Sequence, residues 1–391
     1  MGLAVQTPLP ATRQLLQAKI DKIMAMMKVA YMFGGMNRGG AETLLLDVFR
    51  NWRKAPYPFI GIHRKEGTMR DEFFATDPKL YQLAPAQLGY LHYLIHLRKL
   101  LKAENITIVH TQQWLDCIYA WLATIGMPVR IINTFHGLYS QSGINGLLCR
   151  LSMLMADDIC FVSRYEQQWY QQRIHIADKK CHVVYNGIDF SKIDSAKPSS
   201  EFALETRRIR LAMVGNFVRE RSQSVITKSI HILKQRGIVD FDFYFIGKRD
   251  EQEAWCYDKC VQYCEEHQLK NVHFLGSRGD VPELLKSMDG FVYSTEHDTF
   301  GIAVIEAIAV GLPIVVNDWP VMKEVCGTEN DGIRYFQSGN AEDAADKIAL
   351  LLSNLPDART VAKENAIRIR DKYSIEKHIM NLADIYRRTT I

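Results

Sequence analysis

Short apolar runs alternate with longer amphipathic stretches along most of the chain. Runs of four to six apolar residues are typical of buried strands, whereas the stretches between them, such as 90–102 and 114–125, have helical spacing. In the first half, strands are predicted at 28–33, 59–62, 106–110, 130–133, 159–162 and 182–185. This alternation predicts a parallel sheet covered by helices.

The alternation stops at a polar segment and then begins again. Residues 191–206 lack a long apolar run and contain Lys197, Pro198 and several serines, which is typical of a linker. The second set of strands is predicted at 209–214, 241–246, 272–275, 290–293 and 313–316, with closing helices at 341–353 and 374–388. The pattern therefore predicts an α/β fold with two Rossmann-like domains, and the ligand site is expected in the cleft between them.

These patterns define the expected domain boundaries. An N-terminal extension covers 1–27, to which no chemistry is assigned. The other segments are a first domain at 28–190, a linker at 191–207, a second domain at 208–373 and a C-terminal helix at 374–391.

Composition and charge narrow the class of protein. The chain has 391 residues, with 48 basic and 44 acidic side chains and a formal net charge of +4. That balance is too mild for nucleic acid to be the main partner. No apolar run reaches the ~18 residues that cross a bilayer, and no secretory signal is evident, so a cytoplasmic location is expected.

Two groups of residues resemble metal ligands, but each has a simpler interpretation. Cys256, Cys260 and Cys264 recur every four residues, which predicts a buried helix face of small side chains. Asp240 and Asp242 form an Asp-x-Asp motif, yet they stand at the entrance of a predicted strand. No metal site is therefore predicted at either place.

A glycine-rich segment follows the first predicted strand. Gly34, Gly35, Gly39 and Gly40 precede a helix that is expected to begin near Ala41. Because a helix N-terminus favours an anion, this loop predicts a phosphate close to the first domain. It is neither a Walker A loop nor a Gly-x-Gly-x-x-Gly motif. The alternative is a glycine turn that serves only the geometry between strand and helix.

Two acidic residues flank the start of another predicted helix. Asp298 lies in the loop before the helix, and Glu306 lies within it, eight residues later. Eight residues span roughly 12 Å at most along a helix. That length is comparable to a sugar, a diphosphate and a ribose laid across the helix start, where the amides near Gly301 and Ile302 would meet the diphosphate.

This segment resembles the E-x7-E region of the family 4 retaining glycosyltransferases, which have the GT-B fold. The resemblance extends over nearly all of 28–391. It includes the segments Gly39-Gly40-Ala41-Glu42, Thr134-Phe135-His136-Gly137, Phe161-Val162-Ser163, Asn186-Gly187-Ile188-Asp189 and 281–294. It implies two Rossmann-like domains that face each other across a cleft, with the last helix crossing back to the first domain.

The resemblance also implies roles for individual residues. Asp298 would position the donor sugar, Glu306 would hold the ribose, and His136 would lie near the donor sugar. The implied substrate-binding residues are Gly39, Gly40, Asn216, Arg219, Arg221, Ser277, Arg278, Thr299, Phe300, Gly301 and Ile302. Cationic side chains and helix amides take the place of a metal, so no metal or other cofactor is expected.

The chain departs from the family pattern at two points. The family usually has Glu where this chain has Asp298, although Glu296 stands nearby. It also has an Arg and a Lys that hold the diphosphate, at positions where this chain has Asn216 and Arg221. Arg219 is then expected to supply the missing charge, because guanidinium groups bind phosphate bidentately.

The implied activity is retaining transfer of a hexose-type sugar from a nucleotide-diphosphate sugar, with UDP expected rather than GDP. The acceptor is expected to be a glycan or a polyprenyl-linked glycan in bacterial surface-polysaccharide biosynthesis. The helix at 90–102 mixes leucines with basic residues. Two interpretations of it remain open: peripheral contact with an anionic membrane at its inner face, or an ordinary solvated helix.

Three alternatives compete with a transferase. A GT-B epimerase or phosphorylase would share the architecture, but no lysine lies in a clear cofactor motif. A Rossmann oxidoreductase would need Gly-x-Gly-x-x-Gly. A non-catalytic partner subunit, which binds only glycan or protein, is favoured by the two departures and disfavoured by the segment from Asp298 to Glu306.

Overall fold

The computed structural model of the protein describes residues 27–139, 142–202 and 208–388. The predicted N-terminal extension therefore lies outside the described residues, except for Met27. Contacts divide the chain into two compact units. The first unit comprises Met1–Phe161, Arg173–Gly187 and Ile375–Ile391, and the second comprises Val162–Gln172 and Ile188–Ser374.

The first unit is built on a seven-stranded parallel sheet. In chain order its strands are β1 (Val29–Phe33), β2 (Phe59–His63), β3 (Leu80–Gln82), β4 (Ile108–Thr111), β5 (Arg130–Phe135), β6 (Asp158–Phe161) and β7 (Cys181–Val183). Their order across the sheet is β3-β2-β1-β4-β5-β6-β7, and every neighbouring pair is parallel. Strand β1 is central and buried at all five positions, which explains its continuous apolar sequence.

In the part of the chain that the structure describes, seven α-helices accompany this sheet. They are α1 (Gly40–Arg50), α2 (Arg70–Phe74), α3 (Pro85–Leu88), α4 (Tyr90–Ala103), α5 (Trp114–Thr124), α6 (Gly143–Met155) and the C-terminal helix α16 (Ile375–Arg387). Two 3₁₀ turns, Trp52–Lys54 and Asp178–Lys180, complete the unit.

Helix α16 is anchored in the core of the first unit. Its Ile379 and Leu382 belong to the same buried cluster as β1 and α1. The Tyr386 hydroxyl donates to the Tyr31 hydroxyl over 3.2 Å and lies 2.5 Å from Nδ1 of His110. Arg130 donates to the Ile385 and Tyr386 carbonyls, which caps the negative end of the helix.

The second unit is built on a six-stranded parallel sheet. Its strands are β8 (Ile209–Val214), β9 (Phe241–Ile246), β10 (Val272–Phe274), β11 (Gly290–Tyr293), β12 (Ile314–Asn317) and β13 (Ile333–Phe336). They lie in the order β10-β9-β8-β11-β12-β13, again with parallel neighbours.

The helices of the second unit include one that precedes the last strand of the first unit in the sequence. They are α7 (Arg164–Gln171), α8 (Ser191–Ser195), α9 (Gln223–Gln235), α10 (Ala254–Glu266), α11 (Val281–Lys286), α12 (Ile302–Val310), α13 (Pro320–Val325), α14 (Ala341–Ser353) and α15 (Leu355–Lys372). The 3₁₀ turns Ser200–Phe202 and Glu329–Asp331 also belong to it.

The unit boundaries differ from the predicted ranges at α7. The Glu324 carboxylate accepts hydrogen bonds from the Arg164 and Tyr165 amides, at 2.7 and 2.9 Å, and therefore caps the start of α7. The Tyr165 ring packs edge-on against Trp319, 5.9 Å between centroids. These contacts place α7 with the second unit, although the sequence assigned it to 28–190.

The described part of the predicted linker is folded against the second unit. It contains α8, and the Lys286 ammonium donates to the Ala196 carbonyl over 2.7 Å. Asp194 pairs with Arg370 at 2.7 Å. Residues 191–202 are therefore held by specific polar contacts, a feature that composition alone did not reveal.

The predicted fold class is confirmed, because both sheets are parallel and covered by helices. The cysteine stripe also lies where the periodicity placed it, since Cys256, Cys260 and Cys264 are all buried on α10. Among the described residues, no helix combines the length and the apolar character that crossing a membrane requires.

Candidate functional site

The predicted site residues stand at or just beyond the carboxyl ends of strands, apart from those on α12. In the second unit, Asn216, Arg219 and Arg221 follow β8, Ser277 and Arg278 follow β10, and Asp298 to Gly301 follow β11. In the first unit, Gly39 and Gly40 lie after β1, and His136 directly follows β5. This is the edge at which open parallel sheets bind ligands.

Asp298 lies at the centre of a polar cluster in the second unit. Nη1 of Arg221 pairs with Oδ1 of Asp298, and the Tyr293 hydroxyl donates to Oδ2 over 2.7 Å. The Arg221 guanidinium also lies over the Tyr293 ring, 5.4 Å from its centroid. We call Arg221, Tyr293 and Asp298 the Asp298 cluster. It joins two residues that the sequence assigned to separate tasks, the diphosphate and the sugar.

Burial governs the protonation of this cluster. Burial raises the pKa of the Tyr293 hydroxyl well above 10, so it stays a hydrogen-bond donor at neutral pH. Burial alone would lower the pKa of Arg221, but the Asp298 charge and Tyr293 raise it above its ordinary value. The cluster therefore holds a permanent cation beside a carboxylate.

Backbone contacts fix the two loops that carry the cluster. Arg221 and Thr295 form an isolated antiparallel bridge, and Arg221 donates to the Thr295 hydroxyl over 3.2 Å. The Trp319 indole donates to the Asp298 carbonyl over 3.1 Å. The Ser222 hydroxyl donates to Glu296 over 2.8 Å, so this second acid contacts the same loop.

Helix α12 begins at this cluster. Its N-cap Gly301 is left-handed, with φ +83° and ψ 61°, and a Cβ there would lie 2.7 Å from the Met322 methyl group. The first backbone amides of a helix have no partner within it. The Ile302 amide at the start of α12 is therefore suited to bind an anion. Glu306 lies about one turn further along, partly exposed on a helix that is otherwise mostly apolar.

The two residues before Gly301 are buried. The Phe300 ring packs edge-on against Tyr373, with 5.2 Å between centroids. Thr299 is 7% exposed and Phe300 is 2% exposed. Phe300 therefore contributes packing that holds the loop, whereas His297 is exposed at its rim.

The loop after β8 separates its predicted ligands. Oδ1 of Asn216 accepts a hydrogen bond from the Lys248 amide at 3.2 Å, so this side chain ties the β8 and β9 loops together. Arg219 is exposed, and its amide donates to Glu253 over 2.8 Å. Arg221 therefore belongs to the Asp298 cluster, whereas the Asn216 side chain and the Arg219 amide bond residues that follow β9.

Arg278 is committed to an ion-pair network. Its guanidinium binds Asp280 through two nitrogens, at 2.8 and 2.7 Å, and Glu201 at 3.0 Å. Ser277 beside it is exposed. The Arg278 side chain thus joins the end of the predicted linker to the loop after β10, a structural role that the sequence did not predict.

The Asp-x-Asp motif has protein partners. Asp242, on β9, lies 3.5 Å from Arg208 and 3.4 Å from His273. Throughout residues 27–139, 142–202 and 208–388, no group of three or more His, Cys, Asp or Glu side chains is placed to hold a metal ion.

In the first unit, the helix that follows the glycine loop is covered by its own acid. Glu42 is in the first turn of α1, and a Cβ on Gly39 would lie 2.6 Å from its Oε2 atom. Burial raises the pKa of Glu42. The sequence predicted a phosphate at this helix N-terminus, but the structure has the Glu42 carboxylate there.

His136 is a neutral side chain held by a neighbouring strand end. Its Nε2 atom lies 2.8 Å from Oε1 of Gln112, and because that oxygen only accepts, Nε2 carries the proton. Burial and the nearby His378 lower the pKa of His136 to about 3. The imidazole therefore acts as a hydrogen-bonding group rather than as a cation.

One cation of the first unit was not predicted. Arg64, just after β2, donates to Asp116 over 2.7 Å and to Gln113 over 2.9 Å. A Cβ on Gly34 would lie 3.0 Å from the Arg64 guanidinium and 2.8 Å from the Gln113 amide oxygen, so both side chains lie directly against the loop. The basic run Arg64-Lys65 directly after a strand was the available signal.

Family models match both halves of the chain. Residues 38–192 match the model described as Glycosyltransferase Family 4, and residues 195–368 match the one described as Glycosyl transferases group 1. Among curated proteins, the putative glycosyltransferase EpsF of Bacillus subtilis is 23% identical over 312 residues, covering 74% of this chain and 79% of its own. The UDP-Gal:alpha-D-GlcNAc-diphosphoundecaprenol alpha-1,3-galactosyltransferase of Escherichia coli is 24% identical over 319 residues, 75% of this chain and 78% of its own.

Solved structures share the fold at lower identity. A glycosyltransferase from Rickettsia africae superposes with a TM-score of 0.80 at 17% identity, covering 92% of this chain and 98% of its own. The Anabaena protein HepE, solved with UDP and glucose, has a TM-score of 0.78 at 15% identity, with coverages of 92% and 99%. With family models on both halves and the matching parallel-sheet units, the chain belongs to the GT-B glycosyltransferases, with a family 4 first half and a group 1 second half.

Proposed function

We propose that this glycosyltransferase is a retaining enzyme that transfers a hexose-type sugar from a UDP-sugar to a polyprenyl-linked glycan in surface-polysaccharide biosynthesis. The observation that carries the donor half of the proposal is the Asp298 cluster at the start of α12. It sets a fixed cation, a fixed carboxylate and the first amides of a helix next to one another. A glycosyl diphosphate offers both the anion and the hydroxyl groups that such an arrangement binds.

The named relatives support the acceptor and the stereochemistry. The Escherichia coli relative is named for UDP-Gal, a diphosphoundecaprenol-linked sugar and an α-1,3 product. A Campylobacter jejuni relative, 24% identical over 334 residues, is named as a diphospho-undecaprenol α-1,3-N-acetylgalactosaminyltransferase. UDP-hexoses of this kind are α-linked at the anomeric carbon, so an α product corresponds to retention.

The proposed reaction exchanges one bond at the anomeric carbon. The bond between that carbon and the diphosphate oxygen breaks, and a bond to the acceptor hydroxyl oxygen forms on the same face. The acceptor proton passes to the leaving diphosphate. Arg221 and the amides at Ile302 stabilise the charge that develops on that diphosphate, with Arg219 as a second cation. These groups supply positive charge where a metal would otherwise be needed, and we propose a metal-independent enzyme.

The remaining residues take positioning roles. Asp298 keeps lone pairs for a sugar hydroxyl in addition to its two protein bonds. Glu306 holds the ribose, one turn into α12. In the first unit, neutral His136 binds a donor hydroxyl, and the loop at Gly39 and Gly40 lies near the diphosphate. Because the Arg278 side chain is paired with Asp280 and Glu201, Ser277 and the backbone beside it contact the nucleotide base in this proposal.

The test is an assay with purified full-length protein and defined substrates. A panel of UDP-glucose, UDP-galactose, their N-acetyl forms and GDP-mannose is incubated with short-chain polyprenyl diphosphate sugars, with and without EDTA. We expect transfer from one UDP-sugar, unaffected by EDTA, with an α-anomeric proton in the product by NMR. A β product would overturn retention, and EDTA-sensitive transfer would overturn metal independence.

Nucleotide binding tests the non-catalytic alternative separately. A ligand that binds only the folded state raises the melting temperature, so thermal shifts with UDP, GDP, ADP, CMP and NAD identify the donor class. We expect a shift with UDP that Glu306→Ala abolishes and Glu342→Ala, on the exposed start of α14, preserves. No shift with any nucleotide would favour a partner subunit that binds glycan or protein.

A further inference from the structure

A cavity of about 340 Å³ in the second unit shares no residue with the Asp298 cluster or with the residues predicted to bind substrate. It lies where β13, the end of α14 and the start of α15 meet, and the 3₁₀ turn Glu329–Asp331 lines its remaining side. Strand β13 is at the edge of the sheet, two strands from β11, whose carboxyl end leads to Asp298. Pockets of this size hold small metabolites, so the second unit has room for a ligand besides the donor.

Contacts within the protein hold the walls of this cavity in place. Gly332 has φ +80°, and a Cβ there would lie 2.8 Å from Cγ1 of Val361, so the 3₁₀ turn closes directly against α15. The Thr328 hydroxyl donates to the Asp331 carboxylate over 2.9 Å, and that carboxylate also lies 3.5 Å from Arg368 of α15. A cavity that is already formed loses little conformational entropy when a ligand binds.

Arg334 on β13 contributes a guanidinium group to the cavity. In the part of the chain that the structure describes, this side chain makes no hydrogen bond or ion pair. The other described arginines of which this is true, Arg164, Arg219 and Arg388, are exposed, whereas Arg334 is partly buried. Burial lowers the pKa of Arg334, and no neighbouring carboxylate raises it again. A partly buried charge without a partner costs free energy, which a bound anion would recover.

Lys347 on α14 adds a second cation to the same cavity. It is partly buried, and its ammonium group has no hydrogen-bond or ion-pair partner among the described residues. The carboxylates that line the cavity, Glu329 and Asp357, are exposed, and neither forms an ion pair with Arg334 or Lys347. A guanidinium binds phosphate through two parallel hydrogen bonds, and a lysine ammonium binds it as a point charge. The two cations therefore favour a phosphate group.

The rest of the lining suits the hydroxyl groups and the C–H face of a sugar. Asn330 and Asn354 offer amide groups, which donate to and accept from hydroxyls, and the Glu329 carboxylate accepts from them. Leu350, which is 54% exposed, and Val361 give an apolar patch for the ring. Inorganic phosphate alone would leave these groups unused. The exposed acids also disfavour a ligand that carries negative charge along its whole length.

We propose that this cavity binds a phosphorylated hexose, with the phosphate on Arg334 and Lys347 and the sugar hydroxyls on the two asparagines and Glu329. The ligand would occupy a site of its own, separate from that of the nucleotide sugar. Its binding requires neither donor nor acceptor. This site and the proposed transferase activity can therefore fail separately.

The test is calorimetry of the full-length protein with the 1-phosphates and 6-phosphates of glucose, galactose and mannose, with the free sugars and with inorganic phosphate. We expect one hexose phosphate to bind at least about tenfold more tightly than inorganic phosphate, and no heat from the free sugars. Saturating UDP should leave this binding unchanged, because the two sites share no residue. Displacement by UDP would place the sugar phosphate in the donor site and overturn the proposal. Equally tight binding of inorganic phosphate would overturn the assignment of a sugar.

Variants of the two cations locate the ligand. Arg334→Gln and Lys347→Gln should each raise the Kd of that hexose phosphate by at least about tenfold, the effect of losing one charge-assisted hydrogen bond. Because neither side chain has a protein partner, the melting temperature without ligand should stay the same or rise. Lys363→Gln removes the same charge from an exposed residue of α15 outside the cavity and should leave the Kd unchanged. Equal weakening by all three variants, or no binding of any hexose phosphate to the wild type, would overturn the proposal.

Discussion

The Asp298 carboxylate uses both of its oxygens within the protein, one for Arg221 and the other for the Tyr293 hydroxyl. A carboxylate with two fixed partners cannot rotate freely. It therefore presents its remaining lone pairs in a set direction before any ligand arrives. At the scale of single residues, the precision of this site depends on Tyr293, which is buried at the end of β11.

Replacing Tyr293 with Phe isolates this positioning role. The variant removes the hydroxyl and keeps the ring over which Arg221 lies. We expect kcat/KM to fall by about ten- to a hundredfold, because an unoriented carboxylate loses roughly the free energy of one charged hydrogen bond, about 1.5–3 kcal/mol.

Tyr335→Phe is the matched control for this variant. The Tyr335 hydroxyl donates to backbone carbonyls of Met322 and Gly327 in the same unit. Steady-state kinetics and melting temperatures on both variants are the measurements. If the two variants lose activity equally, Tyr293 has no special role at Asp298.

The ion pair suggests that the two departures from the family pattern compensate each other. Asp is one bond shorter than Glu, whereas the guanidinium of Arg reaches further than the ammonium of Lys and has a planar fork. Asp298→Glu alone and Arg221→Lys alone should each lower kcat/KM about tenfold, since contacting residues of this kind are coupled by about 0.5–3 kcal/mol. The double variant should recover most of the loss. A double variant whose loss is the product of the single losses would contradict compensation.

At the scale of elements, α1 and α12 present two different N-termini. Helix α12 begins at a left-handed glycine beside the Asp298 cluster. Helix α1 has Gly39 as its N-cap and Glu42 in its first turn, and burial raises the pKa of that carboxylate. A negative group there opposes a second anion, since a helix N-terminus carries only about half a unit of positive charge.

Glu42→Gln is therefore expected to tighten nucleotide binding. Removing a negative charge from the first turn of α1 should make the free energy of UDP binding more favourable by about 0.3–1 kcal/mol. Calorimetry should then show a Kd for UDP that is lower by about two- to fivefold. Asp357→Asn, in the exposed first turn of α15, changes the same charge elsewhere and should have no effect. An unchanged Kd in Glu42→Gln would place the diphosphate away from α1.

Glycines and apolar periodicity made most elements predictable, including both ends of α12 at Gly301 and Gly311. Strand β3 was not predicted, because it is a three-residue edge strand whose side chains are only partly buried. Helix α15 was not predicted, because its sequence has few apolar residues and they form only a weak apolar face. Side-chain partners such as Arg64 with Asp116 were not predictable, because residues 52 apart meet only through the sheet order.

At the scale of the whole molecule, three histidines of the first unit, His110, His136 and His378, have pKa values that burial lowers. Burial, with the neighbouring His378 and His136, lowers the pKa of His110 to about 3. Burial and His378 lower that of His136 to about 3, and burial lowers that of His378 to about 4. His378 bonds the Tyr185 carbonyl at 2.8 Å, and His110 bonds Tyr386, so two of the three tie α16 to the sheet.

These histidines should make the first unit sensitive to mild acid. In the unfolded chain they take up protons near pH 6.5, whereas in the folded unit they stay neutral until about pH 4. Their contribution is therefore intact above pH 6.5 and is lost as the pH falls towards 4. These three protons alone give a slope that approaches about 4 kcal/mol per pH unit, and His63, whose pKa burial also lowers, adds to it. Carboxylates titrate mainly below this window, so the interval between about pH 6 and 5 reports the histidines.

Urea unfolding between pH 7 and 5 measures this slope directly. His378→Gln should reduce it by about 1.4 kcal/mol per pH unit, the value of one proton, whatever its effect on stability at pH 7. His96→Gln, on the exposed side of α4, should leave the slope unchanged. Between pH 6.5 and 4 the slope adds up to a loss of about 10 kcal/mol, which is comparable to the 5–15 kcal/mol that stabilises a typical domain. A free energy of unfolding that is constant from pH 7 to 5 would mean that the three side chains reach water, and the buried network that holds α16 would then not exist in solution.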